Sequence, residues 1–206
     1  MSYTTLRSTE DGVLFLAGHR RRFEPCGTEA LAAFDAFART VAPGVWVLHF
    51  ADGRLSATAR AGSRLFPEMP VRYAVSPFAG RRGPFRKPAP PCAYDPFRLG
   101  GVETLLTSPD GAEIYESANA AVIALDGDRI LVVPDDRPRV DSVALAALRE
   151  RVATTPAPIL VAAGLPLVLL NAVKGLCPLA VADPGLRAAA GVVLLRLEKL
   201  LFDRGR

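Results

Sequence analysis

A stretch rich in proline, glycine and arginine interrupts the chain at residues 78–92 and separates two regions with regular apolar patterns. Proline fixes φ and removes a backbone N–H, so the four prolines of this stretch exclude a continuous helix or strand. Both flanking regions mix helical and alternating patterns. The sequence therefore predicts an α+β lobe over residues 1–77, an interdomain loop over 78–92 and an α/β lobe over 93–206.

The N-terminal region begins with an alternating run and a turn signal. Residues 3–7 alternate before Glu10-Asp11-Gly12, which predicts a hairpin whose return strand covers residues 13–16. Thr28 is expected to cap a helix that runs from residue 29 to about residue 41. The remaining strand-like runs are residues 45–50, 55–61 and 71–75.

The C-terminal region contains two further hairpin signals, at the turns 109–111 and 126–128. Helical spacing predicts a helix over 142–152 and a closing helix over 186–202, which presents a wide apolar face. The short apolar runs predicted as buried strands are residues 159–161, 167–170 and 179–181. This order of elements is typical of an α+β protein rather than an all-helical one.

Composition excludes several classes of function. No apolar run is long enough to span a membrane, and the N-terminus has no apolar signal core, so we expect a cytoplasmic protein with no membrane partner. Three widely spaced cysteines and two histidines form neither a disulfide framework nor a metal site. A nucleic-acid role for the basic residues 81–87 is disfavoured, because the rest of the chain has mixed charge and no binding motif.

Five segments, taken in order, resemble one known family. They are YTTLRSTEDGVLFLAGHRRRF, RKPAPPCAYDPFR, GVETLLTSPDGAEIYES, AAVIALDGDRILVVP and LLNAVKGLCPL. Their order and spacing resemble the class IV aminotransferases and the related 4-amino-4-deoxychorismate lyases. The resemblance implies a two-lobed fold with a cleft between the lobes, a homodimer, the cofactor pyridoxal 5'-phosphate (PLP) and a small amino compound as substrate.

The resemblance also assigns roles to residues. Lys87, one of only three lysines, corresponds to the lysine that forms a Schiff base and transfers protons. Arg22 corresponds to the phosphate ligand, Glu116 to the partner of the pyridine nitrogen, and Tyr94 to a residue near the phosphate or phenolate oxygen. Further cofactor contacts are implied at Arg139, Val140, Asn171 and Ala172. The resemblance further implies that Arg22, Lys87, Glu116 and Asn171 converge on one cleft.

Departures from the family pattern leave a second interpretation open. Asp141 stands in the phosphate turn, where a carboxylate repels phosphate unless an arginine compensates, or else it caps the following helix. Ala121 and Ala172 replace hydrogen-bonding residues, and prolines surround Lys87. Arg22, Lys87, Tyr94 and Glu116 also have ordinary structural interpretations. The alternative to an aminotransferase or lyase is therefore a non-catalytic relative that has lost PLP binding.

Overall fold

The protein has a mixed α+β architecture, as predicted. A computed structural model describes residues 2–61, 73–77, 102–180 and 183–202. Contacts divide the described residues into two compact units. Unit 1 comprises residues 2–61 and the turn 172–174, and unit 2 comprises the rest.

Unit 1 contains one antiparallel sheet of four strands, in the order β2-β1-β3-β4. Two helices and a short 3-10 turn (Glu24–Cys26) accompany the sheet. The elements are β1 (Ser2–Thr9), β2 (Gly12–Val13), α1 (Leu16–Arg21), α2 (Thr28–Thr40), β3 (Gly44–Ala51) and β4 (Arg54–Ala59).

The core of unit 1 forms where α2 covers the sheet. Phe23 and Phe34 stack with ring centroids 5.2 Å apart and are fully buried. They pack with Leu6 of β1 and Leu48 of β3, which are also fully buried. Burying side chains of this size contributes about 1.5–3 kcal/mol each, so this cluster is the main source of the unit's stability.

Two local predictions for unit 1 were wrong in detail. The return strand of the first hairpin has two residues rather than four, because the chain turns at Phe15 and α1 begins at Leu16. Phe15 adopts a left-handed conformation, with φ of 53°, which ends the strand. Thr28 is the first residue of α2 and not its cap. The N-cap is Gly27, at φ of 88°, and it makes no side-chain cap.

Unit 2 contains two sheets. One has five strands in the order β10-β9-β8-β12-β13, and the other has four in the order β11-β7-β6-β5. The strands are β5 (Tyr73–Pro77), β6 (Glu103–Thr107), β7 (Glu113–Ser117), β8 (Ala121–Asp126), β9 (Arg129–Val132), β10 (Thr155–Pro156), β11 (Ile159–Leu160), β12 (Leu167–Asn171) and β13 (Gly175–Pro178).

Two features of these sheets differ from the sequence prediction. β5 pairs in parallel with β6, so residues 73–77 belong to unit 2, whereas the predicted boundary followed residue 77. The last predicted strand, residues 179–181, begins too late, because β13 starts at Gly175 and pairs with β12 across a tight turn. The predicted loop 78–92 lies outside the described residues.

Apolar side chains from both sheets of unit 2 form one buried cluster, which includes Leu105, Val122, Leu169 and Cys177. Two helices complete the unit: α3 (Val143–Arg151) contacts β12, and α4 (Pro184–Phe202) contacts β13. The Arg151 guanidinium donates to the carbonyl oxygens of Leu200 and Leu201, at 3.1 and 3.2 Å, and so joins the ends of the two helices.

Candidate functional site

Glu116 lies on β7, opposite Leu106 of β6, and only 5% of its surface is exposed. Its Oε1 accepts a hydrogen bond from the backbone N–H of Val140 at 3.1 Å. Buried carboxylates need such donors, because an unpaired buried charge is very costly. The structure thus brings together two predicted site residues that are 24 positions apart, and it excludes the alternative that Glu116 is a solvent-exposed strand end.

Arg139, which precedes Val140, is a buried cation with 6% exposure. Its Nη2 forms an ion pair with Asp135, and its Nη1 donates to the Val140 carbonyl at 3.4 Å. Within the described part of the chain, the Nε–H has no hydrogen-bond partner. Burial lowers the pKa of Arg139, and this effect outweighs the opposing attraction of Asp135. The guanidinium therefore retains an unsatisfied donor.

Asp135 is shared by two arginines. Arg149 of α3 donates to its Oδ1 at 2.7 Å, in addition to the ion pair with Arg139. The hydrogen bond from Arg149 is the main cause that lowers the pKa of Asp135, although desolvation opposes it. The Asp135 side chain is 73% exposed, so water competes with both arginines. Sequence reasoning missed Asp135 and Arg149, and the dense charges of residues 135–139 were the available signal.

Asn171 lies at the end of β12 and donates through Nδ2 to the Asn119 carbonyl oxygen. Asn119 in turn donates through its own Nδ2 to the Glu103 carboxylate, at 3.2 and 3.3 Å. Ser117 Oγ accepts from the amides of Asn119 and Ala120 at 3.1 and 2.8 Å. These bonds fix the turn between β7 and β8, which directly follows Glu116. Glu103 and Asn119 were not predicted.

Arg22, in unit 1, caps the C-terminus of α1, and its carbonyl oxygen accepts from Ser2 Oγ at 2.6 Å. Ala172 lies in the turn that contacts assign to the same unit. Lys87 and Tyr94 lie outside the described residues. The expected convergence of Arg22, Lys87, Glu116 and Asn171 on one cleft therefore stays a prediction.

Ser142, and not Asp141, is the N-cap of α3. Its Oγ accepts a hydrogen bond from the Leu145 amide at 3.2 Å. The N-cap position offered to Asp141 is therefore occupied by the serine one position later, which satisfies one amide of the first turn. The negative charge of Asp141 instead opposes the lowering of the Arg139 pKa, so its field acts on that guanidinium.

The described residues contain neither a metal-binding cluster nor a membrane-spanning helix. No group of three or more His, Cys, Asp or Glu side chains is arranged to hold a metal ion there. No described helix is long and apolar enough to cross a bilayer.

No protein-family model matches the sequence, and no curated protein matches it. Solved structures do share its fold. A hypothetical aminotransferase from Mycobacterium tuberculosis in the apo form has a TM-score of 0.69 at 14% identity, over 99% of this chain and 89% of that chain. Its PLP-bound form gives a TM-score of 0.67 at 12% identity over the same shares of the two chains.

The 4-amino-4-deoxychorismate lyase from Pseudomonas aeruginosa gives a TM-score of 0.66 at 16% identity, over 93% of this chain and 89% of that chain. Identities this low show the fold alone. The chain therefore has the fold of class IV aminotransferases and 4-amino-4-deoxychorismate lyases, as its sequence predicted.

Proposed function

We propose that the protein is a PLP-dependent enzyme of the aminotransferase or aminodeoxychorismate-lyase type, acting on a small amino compound. The observation that carries this proposal is the junction at Arg139 and Val140. A buried carboxylate, Glu116, is fixed there by a backbone amide, and a buried guanidinium has an N–H with no partner among the described residues. Buried charges of both signs at one turn are typical of a binding site rather than of a core.

The donor set fits PLP. A carboxylate accepts several hydrogen bonds, so the bond from Val140 orients Glu116 while leaving it suited to a protonated ring nitrogen. The unsatisfied Nε–H of Arg139 suits an anionic phosphate oxygen. Because Glu116 already uses the Val140 amide, we assign Val140 to positioning Glu116. The phosphate then falls to Arg22 and Arg139, with Ala172 contributing its backbone.

When bound, PLP supplies an aldehyde for the substrate amine and an electron sink for the negative charge that develops beside it. In the proposal the Lys87 amine would hold the cofactor through its aldehyde carbon, would be freed when the substrate amine takes its place on that carbon, and would then move a proton at the substrate carbon. Glu116 keeps the ring nitrogen protonated, and its burial excludes water that would weaken this hydrogen bond. The proposal assigns Tyr94 to the phosphate or phenolate oxygen and Asn171 to holding the turn between β7 and β8.

An absorbance spectrum tests this proposal. Protein incubated with PLP and freed of excess ligand should absorb in the near-visible, and borohydride followed by peptide mapping should place the label on Lys87. Lys87→Arg should lose the label. Lys199→Arg, which changes a lysine on α4, should keep it. Label found on Lys174 or Lys199 instead of Lys87 would contradict the proposed role of Lys87.

A second candidate is a non-catalytic relative that no longer binds PLP. Its basis is the departures in the sequence, because Ala121 and Ala172 stand where hydrogen-bonding residues are common in the family and prolines surround Lys87. This candidate predicts neither near-visible absorbance nor any binding of pyridoxamine 5'-phosphate in the same preparation. Detectable binding of either ligand by the unmodified protein rules it out.

The proposal also includes a homodimer, as the sequence resemblance implies, and a cytoplasmic location, as expected from the cysteine pattern and the N-terminal composition. Sedimentation equilibrium of the purified protein measures the assembly directly. A monomer at micromolar concentration would contradict this part of the proposal while leaving PLP binding to be judged by its own assay.

A further inference from the structure

Going further, and resting on the proposed function, we infer that Asp135 competes with the cofactor phosphate for Arg139. The Asp135–Arg139 ion pair then determines how strongly the site prefers a phosphorylated ligand over the same ligand without phosphate. Asp135 is thus a specificity-determining residue that does not itself contact the ligand.

The first step of the argument concerns the partners of Arg139. Its guanidinium is buried, and Asp135 is the carboxylate that pairs with it in the described structure. Guanidinium carries five N–H donors in a planar fork that matches phosphate geometry. Since its Nε–H is unsatisfied, the ion pair with Asp135 does not exhaust Arg139. A phosphate oxygen would satisfy a donor that the described residues leave unused.

The second step concerns the cost of exchanging the two anions. Asp135 is 73% exposed, so its carboxylate is already largely hydrated and loses little when Arg139 leaves it. Arg149 would still donate to its Oδ1, at 2.7 Å in the present arrangement. Displacement of Asp135 by phosphate therefore leaves no buried charge unpaired. Each Asp135–Arg139 contact that persists, however, subtracts from the affinity for phosphate.

The chain supplies a matched control in the next residue. Asp136 has the same charge and nearly the same exposure, 72%, but it pairs with Arg137, at 3.0 Å. Arg137 is itself held by Glu113 at 2.8 Å. Removing the charge of Asp136 therefore changes the local net charge equally while leaving the partners of Arg139 intact.

Pyridoxamine 5'-phosphate and pyridoxamine are suitable probes, because they differ only in phosphate and neither has an aldehyde to react with lysine. Each is titrated by calorimetry into the wild type, Asp135→Asn and Asp136→Asn. We expect Asp135→Asn to tighten binding of the phosphorylated probe about three- to tenfold and to leave pyridoxamine unchanged. Asp136→Asn should change neither affinity by more than about twofold.

Arg149→Gln provides a test of opposite sign. Without Arg149, Asp135 would pair with Arg139 alone and would compete more strongly with phosphate for it. The phosphorylated probe should therefore bind this variant more weakly than it binds the wild type. The inference is overturned if the ratio of the two probe affinities is the same in the wild type and in Asp135→Asn. It is also overturned if Asp136→Asn changes that ratio as much as Asp135→Asn does. If neither probe binds any variant, the proposed function fails and the inference falls with it.

Discussion

Replacing Arg139 by methionine should stabilise the ligand-free protein. Arg139→Met keeps a flexible, apolar side chain in place of the buried arginine stem and removes the guanidinium. In the folded state only 6% of the surface of Arg139 is exposed, and its Nε–H has no partner in the described structure. A residue retained for a ligand is expected to be a poor choice for stability alone.

The expected magnitude is a gain of about 1 kcal/mol in the free energy of unfolding. Removing an unsatisfied buried donor recovers about 1–3 kcal/mol. The loss of the ion pair costs at most about 1 kcal/mol, because Asp135 is largely exposed and keeps Arg149. The bond to the Val140 carbonyl is long, at 3.4 Å, and contributes little. A gain of this size raises Tm by about 2–4 °C in a protein of this length.

Urea unfolding followed by circular dichroism measures the change, with calorimetry as a second probe. Arg139→Ala is the control for packing, since it removes the side-chain stem as well and should destabilise by about 2 kcal/mol or more through the cavity it leaves. The only tryptophan, Trp46, lies in unit 1, so its fluorescence does not report on this site directly. A loss of more than about 1 kcal/mol in Arg139→Met would show that the guanidinium stabilises the fold.

Three further predictions concern separate parts of the chain. Ser142→Ala should lower the free energy of unfolding by about 1 kcal/mol because it removes the cap of α3, whereas Ser142→Asp should not; urea titration compares them. Phe34→Ala should cost unit 1 about 3–5 kcal/mol, seen as an earlier Trp46 fluorescence transition, and an unchanged midpoint would refute the assigned core. The pKa of Asp135 is lowered on folding, so its contribution to the free energy of unfolding is present above the unfolded pKa of about 3.9 and disappears as pH falls through the lower folded pKa. Urea titrations at several acid pH values should therefore show a weaker pH dependence of stability in Asp135→Asn than in the wild type.

The hairpin turns could be predicted because their signals are local. Asp110-Gly111 and Asp126-Gly127 place glycine where the chain needs positive φ, at 76° and 58°. Asp110 also accepts from the Ala112 amide, which closes its turn. Such turns depend on a few adjacent residues, and the structure has them at the predicted positions. The ends of α3 and α4 were predicted to within two residues, although Leu195 and Leu200 of the predicted apolar face of α4 are exposed.

What sequence reasoning missed depends on tertiary pairing. The start of β13 at Gly175 follows from its register with β12, in which Asn171 pairs with Gly175, and a short apolar run gives no register by itself. The placement of β5 depends on parallel pairing with β6, about 30 residues later in the sequence. Asp135 was overlooked because an exposed acidic residue is ordinary until the structure shows two arginines bound to it.

The charges at the Arg139–Val140 turn give the strongest physical argument for a ligand. A chain selected only for stability gains little from burying the Glu116 carboxylate against Val140 and the guanidinium of the preceding residue, Arg139, since apolar residues of similar volume are often as stable or better. Glu116 accepts a hydrogen bond from the Val140 amide, and Arg139 pairs with an exposed aspartate. In the described structure the two buried charges are therefore not paired with each other. Each has instead a partner that holds it in position, as expected when both must meet a ligand that carries charges of both signs.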